Sequence, residues 1–429
     1  MSLRQGADIG IPTKAIRRKR GTMRQTMIRR LTVLSMATLA ISVAVPTGAV
    51  AAVPRQANTA SDVGVTPTQI TLGNVVTLTG PIPGLFKGSQ AGTDAYFKYI
   101  NSQGGVNKRK LVMKSADDAL NCNQNQTQTQ DLIGSVFAFV GSFAVFDNCG
   151  AKVFAQNPTV ADIHYLLSDD ANKEVNGFSP QPAPPGFRTG PYKYYKQKYP
   201  DAVTKVGSLF ASTSPTTWAN QKAAEESLGY KIIYERSVAP TETDWTADII
   251  RMKNLGVQFW DLRNQNASFI AKMLAQAAQQ NFKPKVIMTN SEYDASFFKL
   301  IADPTAANGV LTDQPFAMFL GEDAKSVPEV NLFLKWMKKT NPDVTPDLFA
   351  MYSWASAALF VEALKAAGPN PTRASLIEAL KNIHNFDNNG MVASADVGNK
   401  KPPGCWMLLQ VNNGKFQRVL PKGKGYTCK

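Results

Sequence analysis

The chain has 429 residues, 44% of them hydrophobic, with 47 Lys+Arg against 32 Asp+Glu and a formal charge of +15. Nine Lys/Arg and one Asp lie within residues 1–30, so loss of that end would leave only +7 on the rest. The remaining basic residues are scattered, which excludes a clustered nucleic-acid surface, and residues 52–429 exceed what one core serves, so two domains are expected.

The first element is an export signal. Arg29-Arg30 precede the uncharged apolar run Leu31–Val45, and Pro46 and the small-residue sequence Ala49-Val50-Ala51 follow it. A charged region, a short apolar region and an A-x-A site are the parts of a secretory signal peptide. The run is shorter than the ~20 residues a membrane span needs. Residues 1–51 are read as this signal with an over-extended start, Met23 or Met27 being the better initiator. Residues 52–65 are small and polar and read as a flexible tether. With no Cys near the cleavage site, a lipid anchor on a mature N-terminal Cys is not expected; the chain is read as exported and extracytoplasmic.

From Ile70 strands and helices alternate. ITLGNVVTLTG reads as a strand running into a Gly80-Pro81 turn, Gln90–Ile100 as a helix, and Lys110–Met113 as a strand. Asn123–Ile133 reads as a polar helix and Ser135–Val140 as a buried strand ending at Gly141. The Pro/Gly-rich stretch 179–190 marks a boundary. The grammar then repeats in strands 204–210, 231–238, 257–262 and 285–289, with helices 218–228, 244–255 and 267–280 between them. After Pro315 come three helices, over 327–339, 346–367 and 372–382. Residues 405–420 close the chain as a hairpin around Asn412-Asn413-Gly414. Strands separated by helices of 11–14 residues mean βαβ units, hence an α/β fold with parallel sheets.

Cys122, Cys149, Cys405 and Cys428 show no C-x-x-C spacing, so zinc-ribbon and thioredoxin-type readings lack their signature. In an exported chain an even count suggests disulfides, with three pairings open. Catalytic signatures are sparse. Two histidines, His164 and His384, exclude H-E-x-x-H, and there is no phosphate loop, G-x-G-x-x-G after the first strand, or G-x-S-x-G elbow. No enzyme, metal or cofactor is expected; a secreted hydrolase is the alternative from another class.

Ligands in open α/β sheets sit beyond the carboxyl ends of the strands. Those ends here are Thr79-Gly80-Pro81, Ser142-Phe143, Asp162–Tyr165 with His164, Ser212–Trp218, Arg263-Asn264 and Asn290–Tyr293 with Glu292. Phe143, Tyr165, Trp218 and Tyr293, beside Thr79, Ser142, His164, Arg263 and Glu292, have the composition of a small-molecule pocket.

ITLGNVVTLTGP, YINSQGGVNKRKLVMKSADDA, GFRTGPY, DWTADIIRMKNLGVQFWDL and GKFQRVLP followed by Cys428 resemble the solute-binding proteins of ABC importers of the branched-chain-amino-acid (Leu/Ile/Val) type. The resemblance covers residues 68–429 and implies a Venus-flytrap, type I periplasmic binding fold: two Rossmann-like lobes with parallel sheets, joined by three crossovers. Lobe one would be 66–188 plus 316–388, and lobe two 189–315 plus 391–429. It implies Cys122–Cys149 and Cys405–Cys428 as staples within lobes, and a monomer serving an ABC permease; a ligand-sensing receptor module uses the same fold. Among family contact positions, Ser142 fits the carboxylate-binding hydroxyl, Trp218 the aromatic clamp and Glu292 the acidic residue that holds the amino group. Asp162–Tyr165 and Arg263 depart from the family pattern, which points away from an aliphatic amino acid and toward a larger aromatic or alicyclic organic acid.

Overall fold

The structure is a computed structural model that describes residues 57–183, 189–212, 215–263, 265–291 and 293–428, without the Thr216 side chain. The signal peptide expected over 1–51 and part of the first crossover lie outside the described residues.

The strand beginning at Gln69 is buried on both faces from Leu72 to Val76, as an inner strand of a parallel sheet must be. This is β1 (Gln69–Val76), and α1 (Lys87–Ser102), β2 (Lys110–Asp117), α2 (Cys122–Ile133) and β3 (Phe139–Val140) follow it. The lobe continues with α3 (Asp147–Gln156), β4 (Asp162–Ile163), α4 (Asp169–Lys173) and β5 (Gly177–Phe178). All five strands are parallel, in the order β2-β1-β3-β4-β5. Helix α3 is not evident from the sequence because Gly150 interrupts its periodicity. That glycine lets α3 close on α2, where its N–H donates to the Asn125 side chain at 2.9 Å and a Cβ would collide with it.

The second sheet is built from α5 (Gly190–Lys198), β6 (Val206–Ala211), α6 (Pro215–Ser227), β7 (Ile232–Val238), α7 (Thr246–Asn254), β8 (Phe259–Asp261), α8 (Ala267–Gln279), β9 (Val286–Thr289) and β10 (Leu311–Gln314). Four more helices follow: α9 (Asp323–Ser326), α10 (Pro328–Thr340), α11 (Leu348–Ala366) and α12 (Arg373–Lys381). The last strands are β11 (Cys405–Asn412), β12 (Lys415–Leu420) and β13 (Thr427–Cys428). Strands β10, β9, β8, β6 and β7 run parallel, and the β11–β12 hairpin adds antiparallel to β10.

Helices α10 and α11 pack on α1 and so belong with the first sheet. Helix α11 is apolar nearly all round and buried over most of its length, capped by the Asp347 carboxylate on the Ala350 N–H. It lies close against α1 because Gly88 and Gly92 offer no Cβ; one at Gly92 would strike the Ala350 carbonyl.

Two expectations about boundaries need correction. Residues 57–65 do not hang free: Asn58 donates to the Asn107 carbonyl at 2.7 Å, Ser61 to that of Pro371 at 2.6 Å, and Val65 is buried. Arg109, wholly buried, bonds the carbonyls of Thr59, Thr66 and Pro369 and so clamps that segment. Residues 391–401, expected in lobe two, bridge onto lobe one through Phe386–Ala395 and through Lys400 on the Glu174 carbonyl. Hydrogen bonds to backbone carbonyls elsewhere on lobe one, which composition does not encode, decide both.

Cys122 is bonded to Cys149 and Cys405 to Cys428, each pair within one sheet's surroundings. Cys122–Cys149 closes a separation of 27 residues. Replacing both by serine is expected to cost about 3 kcal/mol through release of unfolded-state entropy, checked by urea unfolding of the oxidised wild type beside the variant.

Candidate functional site

The carboxyl ends of β1, β3 and β4 meet at one edge of the first sheet. After β3 the chain turns sharply at Gly141, whose φ of +67° suits glycine and which leaves no room for a Cβ beside Thr93. Phe143 then enters a buried position between Phe86 and Phe349, with ring centroids 4.7 and 5.0 Å away. Tyr165, after β4, stacks on Tyr352 of α11 at 4.3 Å and runs parallel to Phe143 at 6.0 Å. Tyr165 and Phe349 stay half-buried, so this aromatic shelf keeps an accessible face.

The rings continue into the other lobe. Tyr352 meets Phe316 just after β10, Phe316 meets Tyr293 after β9, and Tyr293 meets Phe416 of β12, at 5.4, 6.0 and 4.8 Å. Tyr293 is fully buried and its hydroxyl accepts the Leu320 N–H at 2.9 Å. It therefore joins the lobes as core, not as the ligand contact expected for it.

Thr79 is exposed and its hydroxyl donates to Asp117 Oδ2 at 2.6 Å, which folds the loop after β1 over the end of β2. Ser142 departs from its expected role. Its side chain is buried, Oγ accepts the Val75 N–H at 3.2 Å, and it faces a cavity of about 20 Å³ inside the lobe.

His164 lines the same cavity and is likewise internal. Its Nδ1 lies 2.9 Å from Asp162 Oδ1 and its Nε2 3.9 Å from Asp147 Oδ2. Burial would push the imidazole down, but the Asp162 and Asp147 carboxylates outweigh it and hold the pKa up to about 10. The Glu174 carboxyl is pushed up to about 9, first by burial and then by Asp162. Asp147 also accepts the N–H groups of Leu167 and Ser168, at 2.6 and 3.1 Å. A buried imidazolium and its two aspartates thus anchor the loop that presents Tyr165, in place of the ligand contact expected of His164.

In lobe two, Trp218 is buried on α6, stacked on Phe210 at 5.3 Å, with its indole N–H on Glu235 at 2.8 Å. That ring is committed to packing; the half-buried Phe210, at the end of β6, is the member of the pair with an open side. Arg263 is also committed. It bonds Glu225 at 2.6 Å and Asp261, lies 3.8 Å from Asp313, and covers the Tyr192 ring at 4.3 Å. Burial works against its charge, yet Asp261 raises its pKa well above the ordinary value. The acid-binding role expected of Arg263 is therefore replaced by an internal ion cluster. Glu292 lies outside the described residues.

Of the expected residues, Tyr165 and Phe143 thus lie together with Phe349 and Tyr352 in one candidate site, with Thr79 on the exposed loop after β1, while Phe210 is the half-buried ring at a strand end of lobe two. Phe349 and Tyr352 are masked in the sequence by the apolar periodicity of α11, which reads as core. Phe210 carried a signal, its place at the carboxyl end of a predicted strand.

The sequence profile of the periplasmic binding protein family matches residues 69–415. A Leu/Ile/Val-binding protein homolog 3 from Brucella melitensis biotype 1 is 21% identical over 327 residues, 72% of this chain and 83% of that one. A fatty acid ABC transporter substrate-binding protein from Thermomonospora curvata superposes with a TM-score of 0.72 at 18% identity, covering 86% of this chain and 95% of its own. An ABC transporter solute-binding protein from R. palustris, in complex with benzoate, superposes with a TM-score of 0.67 at 15% identity, covering 84% and 96%. With two α/β sheets and a family match over most of its length, the chain belongs to the periplasmic binding protein family and has the type I fold of its Leu/Ile/Val-binding branch.

Proposed function

We propose that the protein is the extracytoplasmic solute-binding subunit of an ABC importer, holding a small molecule with an aromatic or alicyclic body between its lobes for delivery to a membrane permease. The observation that carries this reading is the aromatic shelf of Tyr165, stacked on Tyr352 and beside Phe143 and Phe349, at the strand ends of lobe one. A planar or alicyclic body gains area and stacking there, while the Ser142 side chain that would serve an amino-acid carboxylate is buried and faces the small cavity inside the lobe. Solved structures of this fold hold benzoate as well as isoleucine and valine, so the fold accommodates a ring-bearing ligand alongside aliphatic amino acids. Arg263, ion-paired internally, gives no support to an acid group, so the ring and not the charge is the part of the ligand the site favours.

The lobes, taken with the corrected boundaries as residues up to 188 with 316–401 and 189–315 with 405–429, rotate about the crossovers near 188–190, 310–315 and 401–405. A ligand that touches both favours the closed form by its differential affinity. A micromolar dissociation constant corresponds to ~8 kcal/mol, within reach of two stacked rings and a few hydrogen bonds in a cleft cleared of water.

Calorimetry with benzoate, cyclohexanecarboxylate, octanoate, leucine and valine tests the reading. Binding of a ring-bearing compound is expected, and Tyr165→Ala should weaken it at least tenfold without lowering the melting temperature by more than a few degrees. Tight leucine binding with no response to the ring compounds would sink the ligand class.

A further inference from the structure

A side-chain bond crosses between the lobes. The Asn220 amide on α6 of lobe two donates to both carboxylate oxygens of Asp169 on α4 of lobe one, at 2.9 and 3.1 Å. Both residues are half-buried. Each is mounted on a fixed support. Asp169 follows Ser168, which caps α4 on the Ala171 N–H at 3.1 Å and whose own N–H is held by Asp147. Asn220 lies between Trp218, bonded to Glu235, and Gln221, bonded to Asp261 at 2.7 Å. Rotation of one lobe away from the other therefore breaks this bond instead of being absorbed by slack side chains. The ring of Tyr165 stands only four residues before Asp169, on the same loop tied down by Asp147.

We propose that Asp169 and Asn220 form a latch that holds the lobes closed, and that the short segment from Tyr165 to Asp169 links ligand contact to latching. The second half rests on the reading of the Tyr165 shelf as the ligand surface; the first half does not. A charge-assisted bond that must be exchanged for water on opening makes a modest bias. A threefold to tenfold change in the closed-to-open ratio is the scale expected on its loss. Because ligand placed against Tyr165 stabilises the loop that carries Asp169, the same loss should appear in the ligand's dissociation rate and leave the association rate nearly unchanged.

The test is the distance distribution between nitroxides attached through unnatural ketone side chains at exposed Gln103 and Lys283, one on each lobe, in the ligand-free mature protein. Asp169→Ala and Asn220→Ala should each lower the closed-to-open ratio threefold to tenfold. The exchange Asp169→Asn with Asn220→Asp, which reverses donor and acceptor, should restore it. A wild type with no closed population, unchanged distributions in both alanine variants, or an exchange variant no better than either alanine variant would overturn the latch. The measurement needs no ligand, so its failure is separate from failure of the calorimetric panel.

Discussion

Arg263→Met is expected to destabilise the protein by about 3–5 kcal/mol, because it strands buried carboxylates that no other described cation neutralises. Asp261 and Glu225 are fully buried, and Arg263 touches both. Burial, and then the charge of Asp261, raise the Glu225 pKa well above its ordinary value, whereas Arg263 lowers that of Asp261 against its burial, so Asp261 is the more acidic of the two and its charge faces the guanidinium. Removing Arg263 leaves that charge desolvated and unpaired. Adding Asp261→Asn to the methionine variant should recover part of the loss, since two contacting groups do not contribute additively. Urea unfolding followed by Trp fluorescence reads the effect. If Arg263→Met instead melts like the wild type and loses affinity for ligand, the guanidinium belongs to the site after all.

The second large effect is on pH. The His164 pKa stands at about 10 in the folded protein against an ordinary 6.5, so folding takes up a proton between those values. The stabilisation from its ion pairs is complete below about pH 6.5 and is lost as pH rises toward 10. Glu174, raised to about 9 from the ordinary carboxyl value near 4.5, acts with the same sign, also binding a proton on folding and weakening the fold as pH rises through that interval. Stability should therefore fall by a few kcal/mol between about pH 5 and 10. His164→Gln should lower stability at pH 6 and flatten the part of the profile above pH 6.5, leaving the slope due to Glu174. Urea midpoints measured from pH 5 to 10 decide it, and parallel profiles for wild type and variant would remove His164 as the titrating group. Because Asp147 holds both His164 and the loop of Tyr165, ligand affinity should decline over the same alkaline range.

The alternating grammar of strands and helices, and the Gly and Asn turns between them, made the parallel α/β fold legible. Burial pattern and turn chemistry are local properties: QITLGNVV reads as an inner strand and ASFIAKMLAQAAQ as an amphipathic helix wherever they are placed. The positions of the strand ends were equally legible, and with them the candidate neighbourhood around Thr79, Phe143 and Tyr165.

What the sequence by itself could not determine is which way each side chain at a strand end turns and what meets it there. Ser142, His164, Trp218 and Arg263 all sit at or beside such ends, yet each is claimed by a partner distant in sequence or on a neighbouring element: Val75, Asp147, Glu235 and Glu225. Tyr352 comes to the shelf from a helix nearly two hundred residues after Tyr165. A polar group loses its freedom to bind a ligand once burial obliges it to find an internal partner, and the identity of that partner depends on the packing of the whole lobe. Local pattern therefore determined the scaffold and the place of the strand ends, while tertiary packing decided which of the residues there are taken up by internal partners.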